Sequence, residues 1–266
     1  MTKTEDGPPW YFRREGEGFV PSKLARNPWY DNAVAGGPTA SLIAHVIEQS
    51  GMAAEMEICR ITIDILGVVP SSLLTPRVTP VRVGRQAQVQ RVELLAGEKV
   101  VAQAQVLLAR HMDTPEFHPP SPYPDPETVA EGPVLIGADM AGAIRTRPVQ
   151  GSVREPGRGI IWFRMDGEVV QGITPSPFVK ACIFADFGNG VGSSTRVDEW
   201  SYANMDVDIH FMRMPRGEWF LLEAHTEGAG NGHALAQNVF ADRDGVFGKG
   251  SQTVFVAPST RVMATG

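Results

Sequence analysis

The sequence predicts an α+β protein made of two similar halves in tandem, and three observations carry that prediction. Each half holds one helix and a set of alternating strands, the elements of the first half return in order in the second, and a proline-dense stretch separates them.

Residues 1 to 37 are irregular at first and lead through Asn27-Pro28-Trp29-Tyr30-Asp31 to the pair Gly36-Gly37. A helix is expected from Pro38 to Gln49. Proline suits a first helical turn, and Leu42, Ile43, Val46 and Ile47 recur at spacings of three and four, which makes one apolar face. Gly51 stops it. Over 59–69, Cys59, Ile61, Ile63 and Ile65 alternate with Arg60, Thr62 and Asp64, the period of a half-buried strand. Residues 77–83 and 86–95 read as two more strands, Ala96-Gly97-Glu98 as a hairpin turn and 100–109 as the returning strand.

Between about 114 and 133 the chain carries PEFHPPSPYPDPETVAEGP (115–133), dense in proline and without apolar periodicity, a stiff connection suited to crossing between two sheets. It divides the chain into an N-terminal half (1–112), a linker (113–133) and a C-terminal half (134–266). Strands are expected over 144–153 and 159–164. A helix over 178–187 follows, with Ser176 as its N-cap and Pro177 at its first position. Met205, Val207, Ile209 and Phe211 then alternate with Asp206, Asp208 and His210, which sets Asp206 on the face opposite Met205 and Val207. Segments 219–225, 233–241 and 250–257, with the turn Asp242-Arg243-Asp244-Gly245, complete the set. Ile65 answers Phe211, Pro70 answers Pro215 and Gln105 answers Gln252 at an offset that barely drifts, so duplication explains the order better than chance.

Composition narrows the function. The 30 acidic residues outnumber the 24 basic ones for a formal charge of −6, and no long Lys/Arg run occurs, so no nucleic-acid partner is expected. The charged, turn-rich start lacks the apolar core of a secretory signal, and no apolar run approaches the roughly 18 residues of a membrane span. A cytoplasmic protein without membrane attachment is the expectation. Cys59 and Cys182 are too few for a disulfide framework and read as reduced, buried thiols. No Cys/His/Asp cluster has metal-ligand spacing, so neither metal nor cofactor is expected. The glycine loop Gly228-Ala229-Gly230-Asn231-Gly232 has no Walker lysine and reads as a hairpin turn.

Several motifs carry a family resemblance. Gly36-Gly37-Pro38 opens a helix with Ala40, Leu42 and Ala44. In the second half stand Asn204-Met205-Asp206, Phe211-Met212-Arg213, Pro215-Arg216-Gly217-Glu218-Trp219, Asp244-Gly245 and Ser251-Gln252. Over about Pro28 to Val256 the chain resembles the acyl-CoA thioesterase-like double-hotdog proteins. The resemblance implies a tandem (double) hotdog, two antiparallel sheets each wrapped around a central helix, and a hydrolase acting on acyl-CoA or another acyl thioester in fatty acid metabolism. It implies catalytic roles for Asp206 and Gln252 and a hydroxyl residue at Thr226, a position that Glu227 takes if the one-residue loop difference is placed otherwise. The histidine that often precedes the Gly-Gly pair in this family is Ala35 here. A homodimer or larger oligomer is expected.

Thioester hydrolysis needs an activated water, a polariser for the carbonyl oxygen and a dry slot for the acyl chain; thiolate leaves readily without a metal. In this scheme Asp206 takes the proton or orients the water, which Gln252 and Thr226 hold, and an amide at the start of the helix near Pro177 stabilises the oxyanion. Gly36, Gly37, Pro177 and Gly228 border the substrate.

Each residue also has a plainer reading. Asp206 is a surface carboxylate by spacing alone; Gln252, like Gln105, is an ordinary strand residue; and Arg60, the counterpart of Asp206, is an exposed strand arginine. His45 is a satisfied or partly exposed helix residue, and Trp29, Trp162 and Trp219 are packing side chains. Two other functions compete: a non-catalytic acyl-thioester binding protein and a hotdog enoyl-thioester hydratase.

Overall fold

Alternating apolar residues become strands nearly wherever the sequence carries them. The computed structural model describes residues 7–27, 30–51, 55–117, 120–133, 142–152, 155–196 and 198–259. Trp29 and Val153 lie outside them. The first half contains β1 (Trp10–Glu15), β2 (Gly18–Pro21), α1 (Gly36–Gln49), β3 (Met56–Ile65), β4 (Thr75–Val83), β5 (Ala87–Ala96) and β6 (Lys99–Arg110). The second contains β7 (Ile144–Ser152), β8 (Glu155–Met165), β9 (Glu168–Val170), α2 (Pro177–Phe184), α3 (Gly188–Val191), β10 (Trp200–Asn204), β11 (Asp206–Phe211), β12 (Trp219–Gly228), β13 (His233–Asp242) and β14 (Gly245–Pro258).

The expectation of two sheets is corrected: the halves share one continuous antiparallel sheet, ordered β4-β5-β6-β3-β11-β14-β13-β12-β8-β7, with β10 also on β14. The merger occurs where β3 pairs with β11, Ile61 opposite Ile209. Two strand edges that would each present unpaired N–H and C=O groups satisfy one another there. Around that seam the order is mirrored, because β4-β5-β6-β3 meets β11-β14-β13-β12.

Beyond the mirrored strands the halves differ. β12 continues into β8 and β7, whereas β1 and β2 form a small separate sheet with β9 and touch the first half's outer strand through the Phe19–Leu74 bridge, at 2.8 and 2.9 Å. These three short strands were not expected from sequence. β4 is therefore an edge, with Val78, Val81 and Val83 exposed, and its Pro76 and Pro80 suit an edge because they demand no ladder donor.

The helices share one side of the sheet and cross closely. A Cβ on Gly37 would stand 2.7 Å from the Ile183 carbonyl oxygen, so α1 needs glycine at this crossing. Leu42, Ile43 and Ile47 are fully buried, each stabilising the fold by about 1.5–3 kcal/mol. Phe184 stacks on Phe163 at 4.9 Å, and Phe178 meets Phe211 edge-on at 5.6 Å. The connection before β7 is docked on the second half: the Trp162 indole donates to the Pro124 carbonyl at 3.1 Å, and the Tyr123 hydroxyl donates to Glu223 at 2.7 Å. Trp162 and Trp219 are buried, the latter beneath the Arg147 guanidinium at 4.6 Å.

Candidate active site

The run Phe178 to Phe187 was expected as one helix, but α2 ends at Phe184 and the chain tightens into a 3-10 turn over Ala185–Phe187 before α3. That turn delivers Asp186 to the start of α1. The Asp186 carboxylate accepts the Asn204 amide at 2.6 Å and the Gly37 backbone N–H. A Cβ on Gly36 would lie 2.1 Å from its Oδ1, so only glycine lets the helix end come this near. Burial pushes the Asp186 pKa up, opposed by the hydrogen bonds from Asn204 and Gly37. Gly36, Asp186, Asn189, Gly190 and Asn204 nonetheless all keep partial exposure, so solvent reaches the cluster.

Gln252 belongs to this cluster from below. It is fully buried; its amide donates to the Ala185 carbonyl at 2.9 Å and its oxygen accepts from the Asn189 N–H at 3.0 Å. The side chain thus grips the turn on both sides of Asp186. Thr226 lies on the same face, since Thr226 and Gln252 both pair with Ala236. It is buried, whereas Glu227 is exposed.

Asp206 does not meet them. Asn204 pairs with Val254 and Asp208 with Ser251, so one extra residue is accommodated at Met205-Asp206, which bulges opposite Thr253. Thr253 points to the face opposite Gln252, and its N–H donates to Asp206 at 2.5 Å. The shared water expected for Asp206 and Gln252 therefore has no common face of the sheet. Met205, expected on the buried face, is turned outward by the same bulge and is 40% exposed. Asp206 faces Asp64 across β3, and Gln103 donates to Asp64 at 3.0 Å.

Pro177 occupies the first position of α2, and Ser176 caps that helix by accepting from the Val179 N–H at 3.2 Å. Gly228 closes β12 at an exposed hairpin whose Gly230 and Gly232 take positive φ values of 85° and 80°. Arg60 donates to Gln105 at 2.9 Å. His45 is corrected from the exposed alternative: it is 5% exposed and edge-on to Phe19 at 5.9 Å. Arg213 is a scaffold residue, forking onto buried Asp242 at 2.7 and 2.5 Å. Cys59 and Cys182 are free thiols, Cys59 only half-buried, and burial pushes both pKa values up. Among the described residues no group of His, Cys, Asp and Glu could hold a metal ion, and no helix is long and apolar enough to cross a membrane. A hollow of about 480 Å³ beside Arg164, Arg216, Trp219 and Arg243 contains none of the cluster's residues.

Sequence reasoning missed Asp186 and took Asn204 only as part of the Asn204-Met205-Asp206 motif. A single acid inside the apolar run Phe178–Phe187 was the available signal for the first.

A large antiparallel sheet with few helices packed on it fits a hotdog fold, and solved structures bear the fold out. A conserved hotdog protein of unknown function from Alicyclobacillus acidocaldarius superposes with TM-score 0.74 at 15% identity, covering 94% of this chain and 96% of that one. A putative thioesterase from Novosphingobium aromaticivorans gives 0.71 at 18%, covering 92% and 98%. An acyl-CoA thioesterase II from Mycobacterium marinum gives 0.66 at 16%, covering 93% and 94%. Identities this low show the fold alone. The profile of the acyl-CoA thioesterase C-terminal domain matches residues 115–256 and that of the N-terminal domain residues 25–109. The chain belongs to the acyl-CoA thioesterase family and is a thioester hydrolase. No curated protein matches it significantly in sequence.

Proposed function

We propose that the chain hydrolyses an acyl-coenzyme A thioester at the junction of its two hotdog units, residues 1–112 and 134–266, with Asp186 as general base. The observation that carries this reading is the desolvated Asp186 carboxylate held by Asn204 at the start of α1, on a residue that itself keeps partial exposure. The residue before α1 offers no side-chain cap, and with the Gly37 N–H given to Asp186 it is the Gly36 N–H at the first helical position that is left for a thioester oxygen. Asp186 takes a proton from water as the water oxygen bonds to the carbonyl carbon, and burial makes it a better base than an ordinary carboxylate. The C–S bond then breaks and the thiolate leaves with the proton. Gln252 fixes the turn, and buried Thr226 supports it from the same face.

Thiol release from a panel of acyl-CoAs tests the assignment. Asp186→Asn is expected to lose about 10²- to 10⁴-fold in kcat, and Asp206→Asn to stay within a few-fold of wild type, roughly the scale of a surface change. The reverse ranking would return the base to Asp206. Acyl-CoA binding without turnover by the wild type would mean a binding protein.

A further inference from the structure

A thioester whose oxygen reaches the Gly36 N–H sets its carbonyl carbon beside Asp186, and two arms leave from there, the acyl chain and the coenzyme A. The packing around the turn at Asp186 decides where each arm can go. Two ways lead inward from it, one under the start of α1 and one between α3 and the sheet.

The way under α1 is filled by the residue next to the carboxylate. Phe187 is 6% exposed, and a Cβ on Gly37 would stand 3.0 Å from its ring, so the ring lies against the first turn of α1. It meets Phe163 of β8 edge-on at 5.5 Å and Phe184 of α2 at 5.7 Å. One ring thus closes the corner where α1, α2 and the sheet converge. The other way is closed by backbone. A Cβ on Gly192, just past α3, would collide with the Ala224 carbonyl of β12, and a Cβ on Gly159 of β8 would collide with the Val191 carbonyl. Surfaces parted by a methylene chain stand roughly 7–8 Å from each other, twice a carbon contact; here the backbones touch. The side past Asn189, Gly190 and Asn204 stays open, since all three keep partial exposure. Coenzyme A, the larger and more polar arm, needs that side for itself.

We propose that the site is selective for short acyl groups of the acetyl-to-butyryl class, and that Phe187 is the residue that sets the limit, its ring holding the place a longer chain would enter. The inference rests on Asp186 and the start of α1 as the site, and adds to that reading the class of acyl group. A housed chain would gain roughly fourfold in kcat/KM for each methylene taken out of water. A chain turned back into the opening gains nothing and crowds the coenzyme A.

Thiol release from acetyl-, butyryl-, octanoyl- and palmitoyl-CoA reads this directly as a ratio of kcat/KM values. In the wild type the octanoyl-to-butyryl ratio is expected below one, on the order of a tenth, and Phe187→Ala is expected to raise it at least about tenfold by opening room beside Gly37. The ratio separates selectivity from mere destabilisation, because a smaller folded fraction lowers both rates alike. Should the alanine variant not fold, Phe187→Leu, which keeps most of the apolar volume, carries the same comparison with a smaller rise. A wild-type ratio of one or above, or a ratio left unchanged by the Phe187 substitution that folds, would overturn the proposal. Either result combined with an inactive Asp186→Asn would strike the chain-length limit alone and leave the base in place. Full activity in Asp186→Asn would remove the site itself, and the proposal with it.

Discussion

The two long helices begin under opposite conditions, although the halves that carry them are laid out as repeats. At the start of α1 the preceding residue is Ala35, which offers no capping side chain, and a carboxylate from the other half, Asp186, approaches glycine. At the start of α2 the preceding residue is Ser176, which caps the helix itself at 3.2 Å and donates its hydroxyl to a carboxylate from the other half, Glu48, at 2.6 Å. Burial raises the pKa of both carboxyls. Duplication therefore makes two equivalent places, and a single hydroxyl fills one of them. The helix start whose preceding residue offers no cap keeps the Gly36 N–H for a ligand.

If that contrast is right, the largest effect comes from closing the open end. Gly36→Ala puts a methyl group 2.1 Å from Asp186 Oδ1. The carboxyl belongs to a short side chain pinned by Asn204, so it must leave the Gly37 amide or push α1 away. A displacement on the order of 1 Å costs about a hundredfold in rate, and steady-state kinetics on an acyl-CoA should show that loss in kcat. Activity within a few-fold of wild type would mean that the approach of Asp186 to α1 has no part in the reaction.

A smaller effect separates the charge of Asp186 from its chemistry. Its folded pKa is raised, so the native state holds its proton more tightly than the unfolded chain, and the resulting stability is complete below the ordinary Asp value of about 3.9. It is lost as pH rises through the folded value, where a desolvated negative charge appears. Asp186→Asn carries no such charge, so its Tm should exceed that of wild type at neutral pH, and the gap should narrow as pH falls toward the ordinary carboxylate range. A gap of constant size across that range would show that the carboxyl is not desolvated. Inactivity combined with a higher Tm is the pattern of a residue retained for chemistry rather than for folding.

Sequence carried the architecture further than the site. The repeat of helix, strand, hairpin and final glutamine was legible because each half must build the same amphipathic elements, and period-2 and period-3.6 patterns survive in single sequences. The short strands β1, β2 and β9 were not, since Trp10–Glu15 and Glu168–Val170 hold too few alternating residues to register. The seam of β3 with β11 was equally hidden, because pairing between distant strands leaves no local trace. Alternation did warn that Asp206 points away from the core, and the bulge at Met205 keeps it there. Asp186 escaped for the opposite reason: its partners, Gly37 and Asn204, are distant in sequence, and an acid near a helix end reads as solvated until the fold brings them together.

The smallest expected effect is the one that tests whether α2's start is truly closed. Ser176→Ala removes a cap worth about 1 kcal/mol, which lowers Tm by roughly 2–4 °C in a protein of this size. It also leaves Glu48 without its hydroxyl donor, and because that hydrogen bond holds the Glu48 pKa down against burial, its loss makes the carboxylate still harder to ionise. None of this touches Asp186, so kcat and KM should stay at wild-type values while calorimetry records the shift. A fall in kcat would show that the second helix start shares in catalysis after all. A rise in activity toward acyl-CoA would show that the cap is what silences it, and that the asymmetry between the halves rests on one hydroxyl group.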